Sequence, residues 1–143
     1  MSFLRRGLFI RGGVAYSKHF QSGNITYSHA VARAYEIESK IASYPRIVID
    51  SNIIQMFESE TLPEIFGNGL LAEHNGVTFV NVLDSDNWED YFELASKMYE
   101  RDRLFIRSNE SAFAKHQWFE KYLFDSPYVD SSMERYIDNI RTN

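Results

Sequence analysis

The forty residues from Arg11 to Asp50 constrain the fold more than any other part of this chain. They open on R-G-G-V-A-Y, continue through Y-S-H-A-V-A-R-A-Y-E-I-E-S, and close on Y-P-R-I-V-I-D. The periodicity changes from alternating to helical and back to a short apolar run, which reads strand, helix, strand. The first strand is expected over Gly7–Tyr16, with an irregularity at Gly12-Gly13. Gln21–Asn24 reads as a loop. Ser28 is a suitable N-cap for a helix reaching about Ala42. Its apolar stripe is Ala30, Ala34, Ile37 and Ile41, and its polar stripe is His29, Arg33, Glu36 and Lys40. Tyr44-Pro45 ends the helix, because the residue before proline is pushed out of the α region. Arg46–Asp50 is then a strand whose Ile47-Val48-Ile49 run implies burial on both faces.

Downstream, Ser51 can cap a short helix through about Ser59. Leu70–His74 and Val77–Leu83 flank Asn75-Gly76, a pair that favours a type I′ hairpin because both central residues need positive φ. Asp86 or Asn87 opens a long helix with Trp88, Tyr91, Phe92, Ala95 and Met98 on one side. A further helix is expected over Ser111–Phe124, with Ala114, Trp118, Phe119 and Tyr122 packed, and Ser126-Pro127 breaks it. A last helix capped by Asp130 would present Met133, Tyr136, Ile137 and Ile140. The expected fold class is α+β, an open sheet with helices on one face and a helical C-terminal tail. It forms a single domain over 1–143, with the core and hairpin in 1–85 and the tail in 86–143.

The balance of 15 Lys and Arg against 20 Asp and Glu gives a net charge of −5, which argues against a general nucleic-acid binder. Arg5, Arg6 and Arg11 cluster near the start, in the manner of a solvated strand edge. The absence of cysteine excludes disulfides and thiolate metal sites. No apolar run approaches membrane-spanning length, and the short Leu8-Phe9-Ile10 run makes no signal peptide. A cytoplasmic protein with no membrane partner is the expectation.

The Arg11–Val14 strand and the Val31–Glu38 helix resemble the second half of a class III nucleotidyl cyclase catalytic domain. That family carries R-x-G-I-x-x-G on a strand and V-N-x-A-x-R-L-E on the helix that follows. Ala34-Tyr35-Glu36-Ile37-Glu38-Ser39 with Tyr44-Pro45-Arg46-Ile47 is nearest in pattern to the pyrimidine cyclases of bacterial anti-phage signalling. Lys115-His116-x-Trp118-Phe119-x-x-Tyr122 is similar to the helical tail of that subgroup. The resemblance implies part of a ferredoxin-like core. In the complete enzyme it implies conversion of a nucleoside triphosphate to a 3′,5′-cyclic nucleotide and pyrophosphate by two-metal phosphoryl transfer, with Mg or Mn held by two aspartates. Those aspartates precede the matching strand, so the resemblance covers the C-terminal half alone.

Where the family helix has its asparagine and arginine, this chain has Ala32 and Glu36. Alanine has no donor, and a carboxylate repels a triphosphate. The resemblance therefore implies a half domain inactive alone, with no metal or cofactor of its own. Its expected partner is a second copy or an N-terminal cyclase half, and its expected ligand is a nucleoside triphosphate. Arg33 and Arg46 are the candidates for phosphate contact, since guanidinium forks match phosphate oxygens. The alternative reading is a non-catalytic dimerisation or nucleotide-binding module.

Other polar residues read blandly. Glu36 and Glu38 read as surface partners of Lys40 and Arg33. Asp84 and Asp86 form a D-x-D that fits a turn and an N-cap better than a magnesium site. His19, His29, His74 and His116 lack metal-ligand spacing. Gly12-Gly13 matches neither a dinucleotide fingerprint nor a P-loop.

Overall fold

A computed structural model of the chain describes residues 2–57 and 60–137. It is α+β, with a mixed four-stranded sheet, a separate two-stranded hairpin and six helices among the described residues. Two compact units divide it: Ile10–Val82 holds both sheets, and the described residues before and after it form a helical unit.

In the sheet unit, β1 (Gly12–Val14) lies parallel to β4 (Ile47–Ile49), with Gly13 opposite Val48. Helix α2 (His29–Lys40) joins them and packs on β1. Its N-cap is Ser28, whose hydroxyl accepts the Val31 N–H at 3.3 Å. Val48 faces the buried Ile37 and Ala42, and these three form a hydrophobic core cluster of the unit. A Cβ on Gly13 would sit 2.7 Å from the Ala34 carbonyl oxygen and 2.8 Å from Ile37. Only glycine lets α2 approach β1 this closely. Ile47 and Ile49 are half-buried, so one face of β4 alone is fully covered.

The sheet continues through β6 (Val77–Val80), antiparallel to β4, to β5 (Leu71–His74), in the order β1-β4-β6-β5. Asn75 and Gly76 join β5 to β6 with φ of 53° and 71°, the pair of positive values expected of the type I′ turn. Helices α3 (Ser51–Met56) and α4 (Leu62–Gly67) fill the connection from β4 to β5.

Three sequence expectations are corrected. The strand placed over Gly7–Tyr16 is only three residues long. Residues Ser2–Arg5 form a helical turn (α1), and Gly7 breaks the chain direction at φ 69°. Pairing with β4 is what defines β1, and β4 is bounded by Pro45 and by the start of α3, so β1 cannot be longer. Gln21–Asn24 is not a simple loop. Residues His19–Ser22 (β2) and Ile25–Ser28 (β3) pair antiparallel around Gly23-Asn24. The helix placed after Asp130 does not form over 130–137. There the Asp130 carboxylate accepts from the Ser132 N–H at 2.7 Å, making a turn. The Ile140 position lies outside the described residues.

The helical unit is built on α5 (Trp88–Arg107) and α6 (Glu110–Phe124), joined by Ser108 and Asn109. Asn109 caps α6 by accepting the Ala112 N–H at 3.0 Å. Trp88, at the start of α5, is buried and donates its Nε1–H to the Leu123 carbonyl near the end of α6 at 2.9 Å. Ala95, Met98, Tyr99 and Ile106 continue the buried face of α5, while Trp118, Phe119 and Leu123 supply that of α6. Residues 130–137 lie along this hairpin. The buried Glu120 carboxylate accepts the Ile137 N–H at 2.9 Å and the Arg135 guanidinium at 3.5 Å.

Candidate functional site

The sheet unit carries an open cleft of about 360 Å³. Its floor is apolar, from Ile37 and Ile41 of α2, Val48 and Ile49 of β4, Ile54 of α3 and Val77 of β6. Polar atoms enter it from Arg33, Asp50, Gln55 and Thr78. Helical spacing places Arg33 one turn before Ile37, so the guanidinium stands at the rim while Ile37 fills the base. Asp50 follows directly on β4 and occupies the N-cap position of α3. Its side chain turns to Arg33 instead of capping the helix.

The contact between them is a two-point fork. Arg33 Nε donates to Asp50 Oδ2 and Nη2 donates to Oδ1, each at 3.0 Å. The third arm, Nη1, donates to Glu36 Oε2 at 2.9 Å, and Lys40 Nζ reaches Glu36 Oε1 at 3.2 Å. Charges thus alternate along Asp50, Arg33, Glu36 and Lys40 and sum to zero. The hydrogen bonds from Arg33 hold the Asp50 carboxyl below its ordinary value, although burial pushes the other way. Arg33, then Lys40, lower Glu36 likewise. The hydrogen bond to Asp50, followed by that to Glu36, raises Arg33, which fixes it as a cation.

The sequence candidates are thus placed as follows. Arg33 fronts the cleft, with Nε, Nη1 and Nη2 all committed to carboxylates. Arg46 does not line the cleft. It is buried, its guanidinium carbon lies 5.6 Å from the Tyr44 ring centre and 5.7 Å from that of Phe79, and Nη2 donates to the Ile41 carbonyl at 3.5 Å. Burial lowers its affinity for the proton, with the charge of Tyr44 opposing. Ala32 is exposed on α2 and presents a methyl group. Glu36 joins the charge chain just described, while Glu38 pairs with Arg11 at 2.5 Å rather than with Arg33.

Asp84 accepts the Asp86 and Asn87 N–H groups at 2.9 Å each, which makes the D-x-D a turn leading into α5. His116 is buried in the helical unit between the rings of Phe9 and Tyr99. Among the described residues no three His, Asp or Glu side chains converge as a metal-binding group. No described helix is long and apolar enough to cross a membrane. Asp50 is the cleft residue that sequence reading missed as a partner: it stands 17 positions from Arg33, beyond any local spacing rule.

A second surface of the same unit stands out by exposure. The β2–β3 hairpin is exposed on both strands. Phe20 pairs with Tyr27 across it, and Ser22 with Ile25, so the period of two puts Phe20, Ile25 and Tyr27 on one side. They are 62%, 70% and 53% exposed. Val31 and Tyr35, one helical turn apart on α2, are also exposed.

Comparison with protein-family models, with curated proteins and with solved structures finds no match to this chain.

Proposed function

We propose that this chain is a non-catalytic, class III cyclase-like module that acts by protein association. The carrying observation is the run of exposed large apolar side chains over residues 14–35, through β1, the hairpin and α2. Single exposed apolar residues are ordinary on a protein surface, but such a concentration in one stretch marks an interaction site. A two-stranded hairpin is itself marginal in water unless something covers it. Strand β1 ends the four-stranded sheet, so its outer edge carries backbone groups that another strand can satisfy.

The cyclase-like part of the reading rests on the residue pattern of Arg11–Ile47. The parallel β1–α2–β4 unit is compatible with it. The non-catalytic part is supported by the charge chain: the arginine at the cleft is held by Asp50 and Glu36, and a triphosphate would have to displace both carboxylates. Nucleoside triphosphate contact at Arg33 is therefore weak and salt-sensitive in this reading. Arg46 remains the other phosphate candidate, reached only if the packing of Tyr44 and Phe79 opens.

Light scattering at micromolar concentration tests the proposal. A particle of at least twice the 16.7 kDa chain mass is expected. A well-dispersed monomer across that range would sink it.

A further inference from the structure

The exposed hairpin supplies both the surface and its partner. Resting on the association reading above, we infer that the Phe20–Ile25–Tyr27 face of the β2–β3 hairpin is a two-fold self-association surface, covered by the same face of a second copy.

Charge argues for a second copy first. Each chain carries a net charge of −5, so two copies repel unless they meet where neither is charged. Residues 19–28, H-F-Q-S-G-N-I-T-Y-S, contain no Asp, Glu, Lys or Arg. Like can therefore meet like without placing equal charges together. The same composition disfavours a nucleic acid, which needs a track of cations beside its aromatic rings. Lys18 alone, at the foot of the hairpin, makes no such track.

Geometry agrees. Both outer edges of the hairpin lack a strand partner among the described residues. Two hairpins related by a two-fold axis can face each other through their apolar sides, or extend into a four-stranded sheet with that side continuous, and each arrangement is self-complementary. A fully buried aromatic side chain contributes about 150–250 Å². At the observed exposures the three residues offer roughly 350 Å² per copy on that scale, or about 700 Å² for the pair. A specific interface needs about 1,000 Å² in total, so the hairpin face requires a further contribution from flanking residues, for which Val31 and Tyr35, exposed on the helix the hairpin leads into, are the candidates.

The triple variant Phe20→Ser, Ile25→Ser, Tyr27→Ser alters only exposed side chains, so its circular dichroism should match that of the native chain. It is expected to scatter light as a monomer at concentrations where the native chain is at least a dimer. The chain contains no cysteine, so Ser22→Cys introduces a single thiol on the apolar side of the hairpin. Mild oxidation is expected to give a covalent dimer, at a rate that native protein added in excess suppresses. If the native chain associates but the triple variant associates equally well, this surface is wrong while the association reading stands. If the native chain is a monomer, both fall. If the native chain is monomeric but retains a single-stranded oligonucleotide and the triple variant does not, the hairpin belongs to a nucleic acid, and self-association is overturned.

Discussion

Arg33 holds both carboxylate oxygens of Asp50, at 3.0 Å each, and thereby ties α2 to the end of β4 across 17 residues of chain. Asp50 is only 4% exposed, so its charge depends on this partner. Arg33→Ala should therefore lower the melting temperature more than Lys40→Ala, which removes one exposed pair. Asp50→Asn in the Arg33→Ala background should recover part of the loss by deleting the stranded charge. Thermal unfolding of the three variants checks the order. Equal effects of Arg33→Ala and Lys40→Ala would show that the fork contributes no more than a surface pair.

The two units predict separate acid responses. Burial, the largest influence, drops His116 to about 4 from its ordinary 6.5, with Asp102 opposing and Arg101 reinforcing. Between those values the unfolded chain binds a proton that the folded chain refuses, so stability falls as pH falls from 6.5 to about 4. The loss is on the order of 3 kcal/mol when complete. Asp50 is shifted downward from 3.8, so its contribution is full above that value and drains away as pH falls further. Urea unfolding of His116→Phe from pH 7 to pH 4 should show a flatter stability profile than the native chain. An unchanged slope would remove His116 from the account.

Two glycines should fail for different reasons. Gly76→Ala meets no neighbouring atom, so its cost is that of a left-handed backbone at φ 71°, about 1–2 kcal/mol. Gly13→Ala drives a methyl group into the Ala34 carbonyl and Ile37. Overpacking costs about 1–3 kcal/mol, and the upper end applies where backbone must move. Denaturant midpoints should rank native, Gly76→Ala, Gly13→Ala, and the reverse order of the two variants would contradict the close approach of α2 to β1.

Glu120→Ala leaves the buried Ile137 N–H without its acceptor, at a cost of about 1–3 kcal/mol. Release of residues 130–137 should follow, read as faster cleavage by a nonspecific protease after Pro127. Unaltered protection would mean that Tyr136 and Ile137 hold the segment by packing on Tyr99 and Ile106 alone.

The elements legible in the sequence are those whose cause is local. Ser28 announces α2 by its hydroxyl, and Asn75-Gly76 announces the hairpin by the φ values both residues tolerate. Two misreadings share one origin, a correct apolar pattern with nothing to pair against. Leu8 and Ile10 alternate as a strand should, yet β4 is three residues long and offers them no partner. Met133, Tyr136 and Ile137 have helical spacing, yet Glu120 fixes the Ile137 amide from another element. The β2–β3 hairpin was missed because Gln21-Ser22-Gly23-Asn24 is polar enough to pass for a loop. At the cleft, Arg33 was visible as a charged residue on the polar stripe of its helix, whereas its partner depended on how strand and helix are arranged in space.

The bond from Trp88 to the Leu123 carbonyl has a spectroscopic consequence. Both tryptophans of the chain, Trp88 and Trp118, belong to the helical unit, and Ile10–Val82 contains none. Indole emission therefore reports the helical unit alone, and Trp88, buried and hydrogen-bonded at the end of the α5–α6 hairpin opposite its Ser108-Asn109 connection, shifts to the red when the two helices part there. The sheet unit is dark in this channel and is followed by amide exchange. Recording both signals through one denaturant titration reveals whether the two units melt as one cooperative body or in succession.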